Sequence, residues 1–156
     1  MRKKLFDSPV NTIIITGLLA GTLDAVAALL INQVKPMNMF RFIASGAFGA
    51  KALAGGLSMA LWCVLFHYVI AFFWTILFFL LYPRISGISQ NKYVNGVVYG
   101  GLIWLVMNLM VLPLSRVSQA PIALKPAVIG AVILIFAVGL PVSLFIHRHY
   151  SRKSGS

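Results

Sequence analysis

Four long apolar runs constrain this chain more than any other feature of its sequence. A helix needs about 20 apolar residues to cross the hydrocarbon core of a bilayer. The runs meet that length between prolines, caps or polar clusters, and they cover residues 10–31, 56–82, 94–114 and 126–146. Because 60% of the 156 residues are hydrophobic and only 10% are charged, lipid must solvate much of the surface. The sequence predicts an all-α membrane domain, a bundle of four transmembrane helices.

The stretch between the first two runs is apolar as well, but it carries Arg41 and Lys51. Within it, residues 38–50 place apolar and polar side chains on different faces of a helix. We expect a short interfacial or re-entrant helix there. The alternative is that this stretch lengthens the second transmembrane helix.

The charge is strongly basic, with thirteen Lys and Arg against two acidic residues. An even number of spans puts both termini on one side. That side holds eight of the thirteen basic residues: Arg2, Lys3, Lys4, Arg84, Lys92, Arg148, Arg152 and Lys153. The positive-inside rule therefore predicts that both termini are cytoplasmic.

These basic residues also indicate the partners of the chain. They flank long apolar runs and form no patch interleaved with aromatic residues, which argues against nucleic acid. Membrane lipids with anionic headgroups are the expected partners. The residues expected to anchor the chain at the headgroups are Arg2, Lys3, Lys4, Arg148, Arg152 and Lys153.

Three strongly polar residues lie deep within the predicted spans: Asp24, His67 and Asn108. An ionisable side chain is costly in lipid, so it should face protein or water. Counted at 1.5 Å per residue, all three fall at similar depths. We expect them to converge in one polar cluster, which Lys51 reaches if its segment re-enters the membrane. Such a cluster would serve either as a proton or ion site or as glue between helices.

Small residues mark the faces on which helices are expected to pack. Gly17 and Gly21 form a GxxxG motif beside Asp24, and Gly96 and Gly100 form another in the third span. Such spacings let two helix backbones approach closely. They predict packing within the bundle, and association with a second copy or another membrane protein.

The sequence lacks the residues that several kinds of metal, cofactor and catalytic site require. A single cysteine, Cys63, excludes disulfides and multi-thiolate metal sites, and the one histidine within a span excludes transverse haem ligation. There is no glutamate for a di-iron site, and no Walker, GxSxG or HExxH motif. We therefore predict no enzyme activity, cofactor or metal.

The order of several short motifs adds a resemblance. They are residues 20–24 (AGTLD), 43–46 (IASG), 66–68 (FHY), 99–101 (YGG) and 111–115 (VLPLS), with the glycine pair 55–56 and residues 107–108 (MN). With these, the chain resembles a family of small bacterial inner-membrane proteins that have four predicted spans and no assigned activity. The resemblance covers residues 17–141. It implies a bacterial plasma membrane and four spans, and it supplies no catalytic residues.

Three functions fit these observations. We favour a structural or interaction role, as a subunit of a larger membrane complex. The alternative is a small proton-coupled transporter or channel that uses Asp24, His67 and Asn108. The third is a membrane enzyme acting on lipid with His67 as base, which ranks last because Asp24 is the only evident second group.

Overall fold

The computed structural model describes residues 8–32, 36–115 and 124–154, and all regular structure in these ranges is helical. In chain order the helices are α1 (Pro9–Asn32), α2 (Pro36–Phe48), α3 (Leu57–Ile88), α4 (Lys92–Leu114) and α5, whose α-helical parts Leu124–Leu134 and Leu140–Ser154 flank a π-helical segment. A short 3-10 helix, Gly49–Ala54, follows α2.

Within the described residues, α1, α3, α4 and α5 are each long and apolar enough to cross a membrane. Their outer faces expose large apolar side chains, and Leu30, Leu61, Val98 and Phe136 are each more than 60% exposed. Such a surface is stable in lipid and would aggregate in water. The chain is a membrane-embedded protein, and the predicted all-α helical bundle is confirmed.

Helix α1 packs between α3 and α5 and runs antiparallel to both, and α4 runs antiparallel to α5. The start of α1 lies beside the end of α5, because Thr12 Oγ1 is 3.2 Å from His149 Nδ1. The start of α4 also lies beside α5, where the Ser143 hydroxyl donates to the Lys92 carbonyl at 2.7 Å. The two described ends of the chain therefore share one end of the bundle, which we call the terminal end.

The core at the terminal end is tightly packed and largely aromatic. The Phe78 and Tyr99 ring centroids are 4.5 Å apart, and the Tyr82 and Tyr150 rings stack at 4.9 Å. Val142 completes this core and is fully buried. We call this part of the bundle the packed half.

Pro83 lies inside α3, which continues for five residues beyond it to Ile88. The apolar pattern predicted an end of this span at Tyr82, so the observed helix is longer. A proline has no N–H to offer the carbonyl four residues earlier, which here is that of Phe79. The Tyr150 hydroxyl donates to this carbonyl at 3.1 Å. A contact from α5 thus supplies the hydrogen bond that Pro83 cannot make.

Two other prolines also fail to end their helices. Each follows a π-helical segment, Met107–Val111 before Pro113 and Ile135–Gly139 before Pro141. A π turn is wider than an α turn, which relieves the clash between a proline ring and the preceding carbonyls. The last span consequently extends to Ser154, beyond the predicted end at residue 146.

The segment between α1 and α3 forms a separate short helix, α2, that packs against α3. It does not lengthen α3, because Gly55 and Gly56 adopt extended conformations between the two. Gly49, with φ of 70°, ends α2 in a conformation that other residues rarely adopt. Ser45 on α2 is buried, so part of the polar face of this helix is turned toward protein.

Candidate intramembrane cavity

A cavity of about 430 Å³ lies among the four spanning helices, in the half of the bundle opposite the terminal end. Its wall includes Asp24 from α1, His67 from α3 and Asn108 from α4. The structure thus brings the three sequence-predicted polar residues to one cavity. Helix α5 contributes only apolar residues and glycine to the described wall. We call this region the cavity half.

His67 is held by a hydrogen bond between two helices. Its Nε2 lies 2.7 Å from the carbonyl oxygen of Gly21 on α1. A carbonyl oxygen only accepts hydrogen bonds, so Nε2 carries the hydrogen. In the neutral ring Nδ1 is then a proton acceptor. Because Gly21 is one turn before Asp24, the imidazole lies at nearly the depth of the carboxylate.

Asp24 is partly buried, on the face of α1 that also presents Gly21 and Ala28 to the cavity. Among the residues that the structure describes, we find no hydrogen-bond donor to its carboxylate. His67 uses its Nε2 hydrogen on Gly21, and Asn108 uses its amide within α4. The carboxylate therefore borders open space instead of being tied to a neighbouring helix.

Asn108 lies in the π-helical segment of α4. Its amide Nδ2 donates to the Trp104 carbonyl at 2.9 Å, one turn earlier in the same helix. This bond fixes the amide orientation and leaves Oδ1 as an acceptor at the wall. The His67 bond joins two helices, whereas the Asn108 bond stays within one. Across the described part of the bundle, the three polar side chains therefore do not form one connected network of glue.

The rest of the wall is apolar and has two distinct ends. Toward the packed half it is closed by Trp74, whose carbonyl accepts from the Tyr99 hydroxyl at 2.7 Å. Toward the opposite end it reaches Leu112 and Pro126, near helix termini, and Ile43 of α2. The apolar side chains of the wall include Ile70, Trp74, Ile103, Trp104, Ile133 and Val138.

The predicted packing glycines occupy close contacts. A Cβ on Gly17 would lie 2.6 Å from the Phe72 ring, and one on Gly21 would lie 3.0 Å from the Tyr68 ring. At the second motif, Gly96 and Gly100, the close contact is with backbone of α5, since a Cβ on Gly100 would lie 2.5 Å from Ile135 Cα. Gly96 is equally tight, with the Gly139 carbonyl 3.1 Å from such a Cβ. Both motifs thus lie at helix contacts within one copy of the chain.

The remaining site residues lie away from the cavity. Lys51 is exposed on the 3-10 helix and is not part of the cavity wall, so the structure does not bring it to Asp24. Arg148 is exposed and Arg152 partly exposed in the last turns of α5. Of the other expected headgroup anchors, the Lys153 side chain and Arg2, Lys3 and Lys4 lie outside the described residues.

Sequence reasoning missed two sets of residues. Trp74 and Trp104 line the cavity but look like ordinary membrane aromatics in the sequence. At the terminal end, Tyr82 bonds to His147 Nδ1 at 2.5 Å. Since the Thr12 hydroxyl donates to the Ser8 carbonyl, it accepts from His149 Nδ1.

Comparison with known proteins yields no relative. No protein-family model matches the chain, and neither the curated proteins nor the solved structures contain a significant match. Membership in the bacterial four-span family stays a prediction. Function must therefore be argued from the cavity itself.

Proposed function

We propose that this chain is a proton-coupled membrane transporter, whose ligand binds in the cavity and exchanges with a proton held at Asp24 and His67. One observation carries the proposal: three polar side chains from three helices border a single space that protein atoms leave unfilled. Helix glue requires its polar groups to bond across helices, because an unpaired polar group in an apolar interior is costly, and of the three only His67 makes such a bond within the described residues. A transport site requires the same groups to face a space that a ligand can enter.

The two halves of the bundle suggest how access is controlled. The cavity reaches helix ends on one side and is closed on the other by Trp74 and the packed aromatic core. Exchange across the membrane needs a second state in which the packed half opens and the cavity half closes. In this proposal, proton loss and ligand binding at Asp24 change the balance between those states.

A cysteine placed in the cavity tests this without knowledge of the ligand. In a Cys63→Ala background, Ala28→Cys would be labelled in liposomes by a membrane-impermeant maleimide added to either side, at about pH 6 and about pH 8. We expect the preferred side to change with pH, and Asp24→Asn to remove that change. Comparison with Asp24→Asn at the same pH cancels the thiol's own pH dependence.

Ala20→Cys is the matched control, because Ala20 lies two turns earlier on α1 and is fully buried outside the cavity wall. It should stay unlabelled at both pH values. If Ala28→Cys shows the same sidedness at both values, transport is contradicted. The chain would then be better explained as a structural subunit of a membrane complex. If the labelled side still changes with pH in His67→Ala as it does in the parent, His67 is not part of the proton site.

We further propose that the chain resides in a bacterial plasma membrane with its terminal end in the cytoplasm. Eight of the thirteen basic residues on that side support this orientation. There, Arg84, Arg148 and Arg152 would contact anionic headgroups. A reporter fused to the C-terminus and active only outside the cytoplasm should be inactive; an active reporter would reverse the orientation.

A further inference from the structure

The cavity combines one carboxylate with an otherwise apolar, partly aromatic wall. Asp24 is the only acidic residue among the described spans, and Asp7 lies before them. Among the described residues, none donates a hydrogen bond to the carboxylate, and no Lys or Arg lines the cavity. A carboxylate in such surroundings is stable only when it holds a proton or a cation. The wall thus favours a positively charged occupant over an anion.

The other wall residues indicate what kind of cation fits. Asn108 offers one further oxygen, which is far short of the six or more oxygens that calcium or magnesium takes. Trp74 and Trp104 lie at the same wall, and indole rings attract organic cations through their electron-rich faces. Ile70, Ile103 and Ile133 supply an apolar surface between them. A volume of about 430 Å³ is within the range of small-molecule sites.

We propose that the ligand is an organic monocation with apolar substituents, such as a quaternary or tertiary ammonium compound. This inference rests on the proposed function, whose ligand it identifies. In the exchange, the Asp24 carboxylic acid loses its proton as the ligand's positive charge takes its place. One O–H bond breaks, no covalent bond to the ligand forms, and the proton leaves by way of His67 Nδ1 or water.

This exchange predicts a defined pH dependence of binding. The titratable groups at the described wall are Asp24 from α1 and His67 from α3, whereas α2, α4 and α5 contribute none. A protonated Asp24 offers no charge to the ligand, and a protonated His67 repels it. Both effects weaken binding at low pH. The affinity should rise by up to about tenfold per pH unit while one proton is released per ligand.

Two ligands of equal shape test the role of charge. Benzyltrimethylammonium carries a quaternary nitrogen, and neopentylbenzene has carbon in its place. Equilibrium binding of each to the purified full chain would be measured in detergent, with protein-free micelles as blank. We expect the cation to bind at least about tenfold more tightly than its neutral twin at the higher pH, and to release a proton on binding.

Variants then locate the site. Asp24→Asn should weaken cation binding by about tenfold or more and remove the part of the pH dependence that Asp24 causes, while Asp24→Glu should retain both the affinity and the pH dependence. Trp104→Leu should weaken binding by about tenfold. Trp62→Leu is the matched control and should change nothing, because Trp62 lies outside the wall and packs on Phe66 with ring centroids 5.9 Å apart.

The outcomes separate this inference from the proposed function. Equal binding of the two ligands, or cation binding that survives Asp24→Asn, overturns the organic-cation proposal. If neither ligand binds while labelling of Ala28→Cys still changes sides with pH, the cation proposal fails and transport stands. If cation binding is normal but sidedness never changes with pH, the cavity is a cation-binding site in a protein that does not transport.

Discussion

The polar side chains of the packed half and of the cavity half differ in what they contact. In the packed half, Tyr99 and Tyr150 bury their rings and donate their hydroxyl hydrogens to carbonyls of α3. In the cavity half, Asp24 and Asn108 border open space. The tyrosines of the packed half hold helices together, whereas in the cavity half the Asp24 carboxylate has no hydrogen-bond donor among the described residues. Under the proposed transport function, stability and ligand exchange would depend on different ends of the same helices.

The largest expected effect is a loss of close helix packing. Gly100→Ala places a methyl group 2.5 Å from Ile135 Cα, where backbone must move to make room. We expect the free energy of unfolding to fall by about 3 kcal/mol. Gly101→Ala is the matched control, since nothing lies within 4 Å of its Cβ position. Reversible unfolding in mixed micelles measures both, and equal effects would contradict the close approach of α4 and α5.

A leucine in each half compares the two directly. Ala20→Leu enlarges a side chain that is fully buried in the packed core, and should cost about 2 kcal/mol of unfolding free energy. Ala28→Leu, two turns later on α1, extends into the cavity and should cost less than about 0.5 kcal/mol. The same variant should block binding of benzyltrimethylammonium. A large stability loss at Ala28 would mean that the cavity half is as tightly packed.

The hydrogen bond beside Pro83 predicts a coupled pair of substitutions. Tyr150→Phe removes the donor to the Phe79 carbonyl and should cost about 1 kcal/mol of unfolding free energy. Pro83→Ala restores a backbone N–H for that carbonyl, so in this background Tyr150→Phe should cost much less. Additive effects in the double-mutant cycle would show that the tyrosine does not compensate for the proline.

A small loss of stability is also expected at the histidine of the cavity. His67→Phe keeps a ring but loses the hydrogen bond to the Gly21 carbonyl, and should cost only about 0.6 kcal/mol. The corresponding change in the packed half, His149→Phe, should cost more because that ring is 2% exposed and bonded to Thr12. Unfolding in mixed micelles compares the two, and a larger loss at His67 would make it mainly a structural residue.

Much of the site could be predicted from sequence because helices are regular. A rise of 1.5 Å per residue places Asp24, His67 and Asn108 at similar depths, and the cost of polar groups in lipid turns them inward. Periodicity does not tell how far apart facing helices lie. It therefore could not distinguish a bonded cluster from three residues around a cavity. Lys51 is exposed on the 3-10 helix that follows the turn at Gly49, and periodicity does not describe such a turn.

The helix ends, too, follow partly from the sequence and partly from contacts between helices. Apolar composition over about 20 residues predicted the four spans, since a helix satisfies all of its backbone hydrogen bonds within one segment in lipid. Local rules ended a helix at Pro83 and set the last span to stop soon after Pro141, yet both continue. At Pro83 a hydroxyl from another helix supplies the missing donor, and at Pro141 a π turn precedes the ring.

The sequence by itself therefore determined that this chain is an all-α membrane protein with four spans and one intramembrane carboxylate. These properties follow from hydrophobicity and helix geometry, which act locally along the chain. The tertiary structure decided that the carboxylate faces a cavity with two tryptophans and that the terminal end is closed. Those features arise from contacts between residues far apart in sequence, where side-chain volumes and hydrogen-bond partners on different helices must fit together.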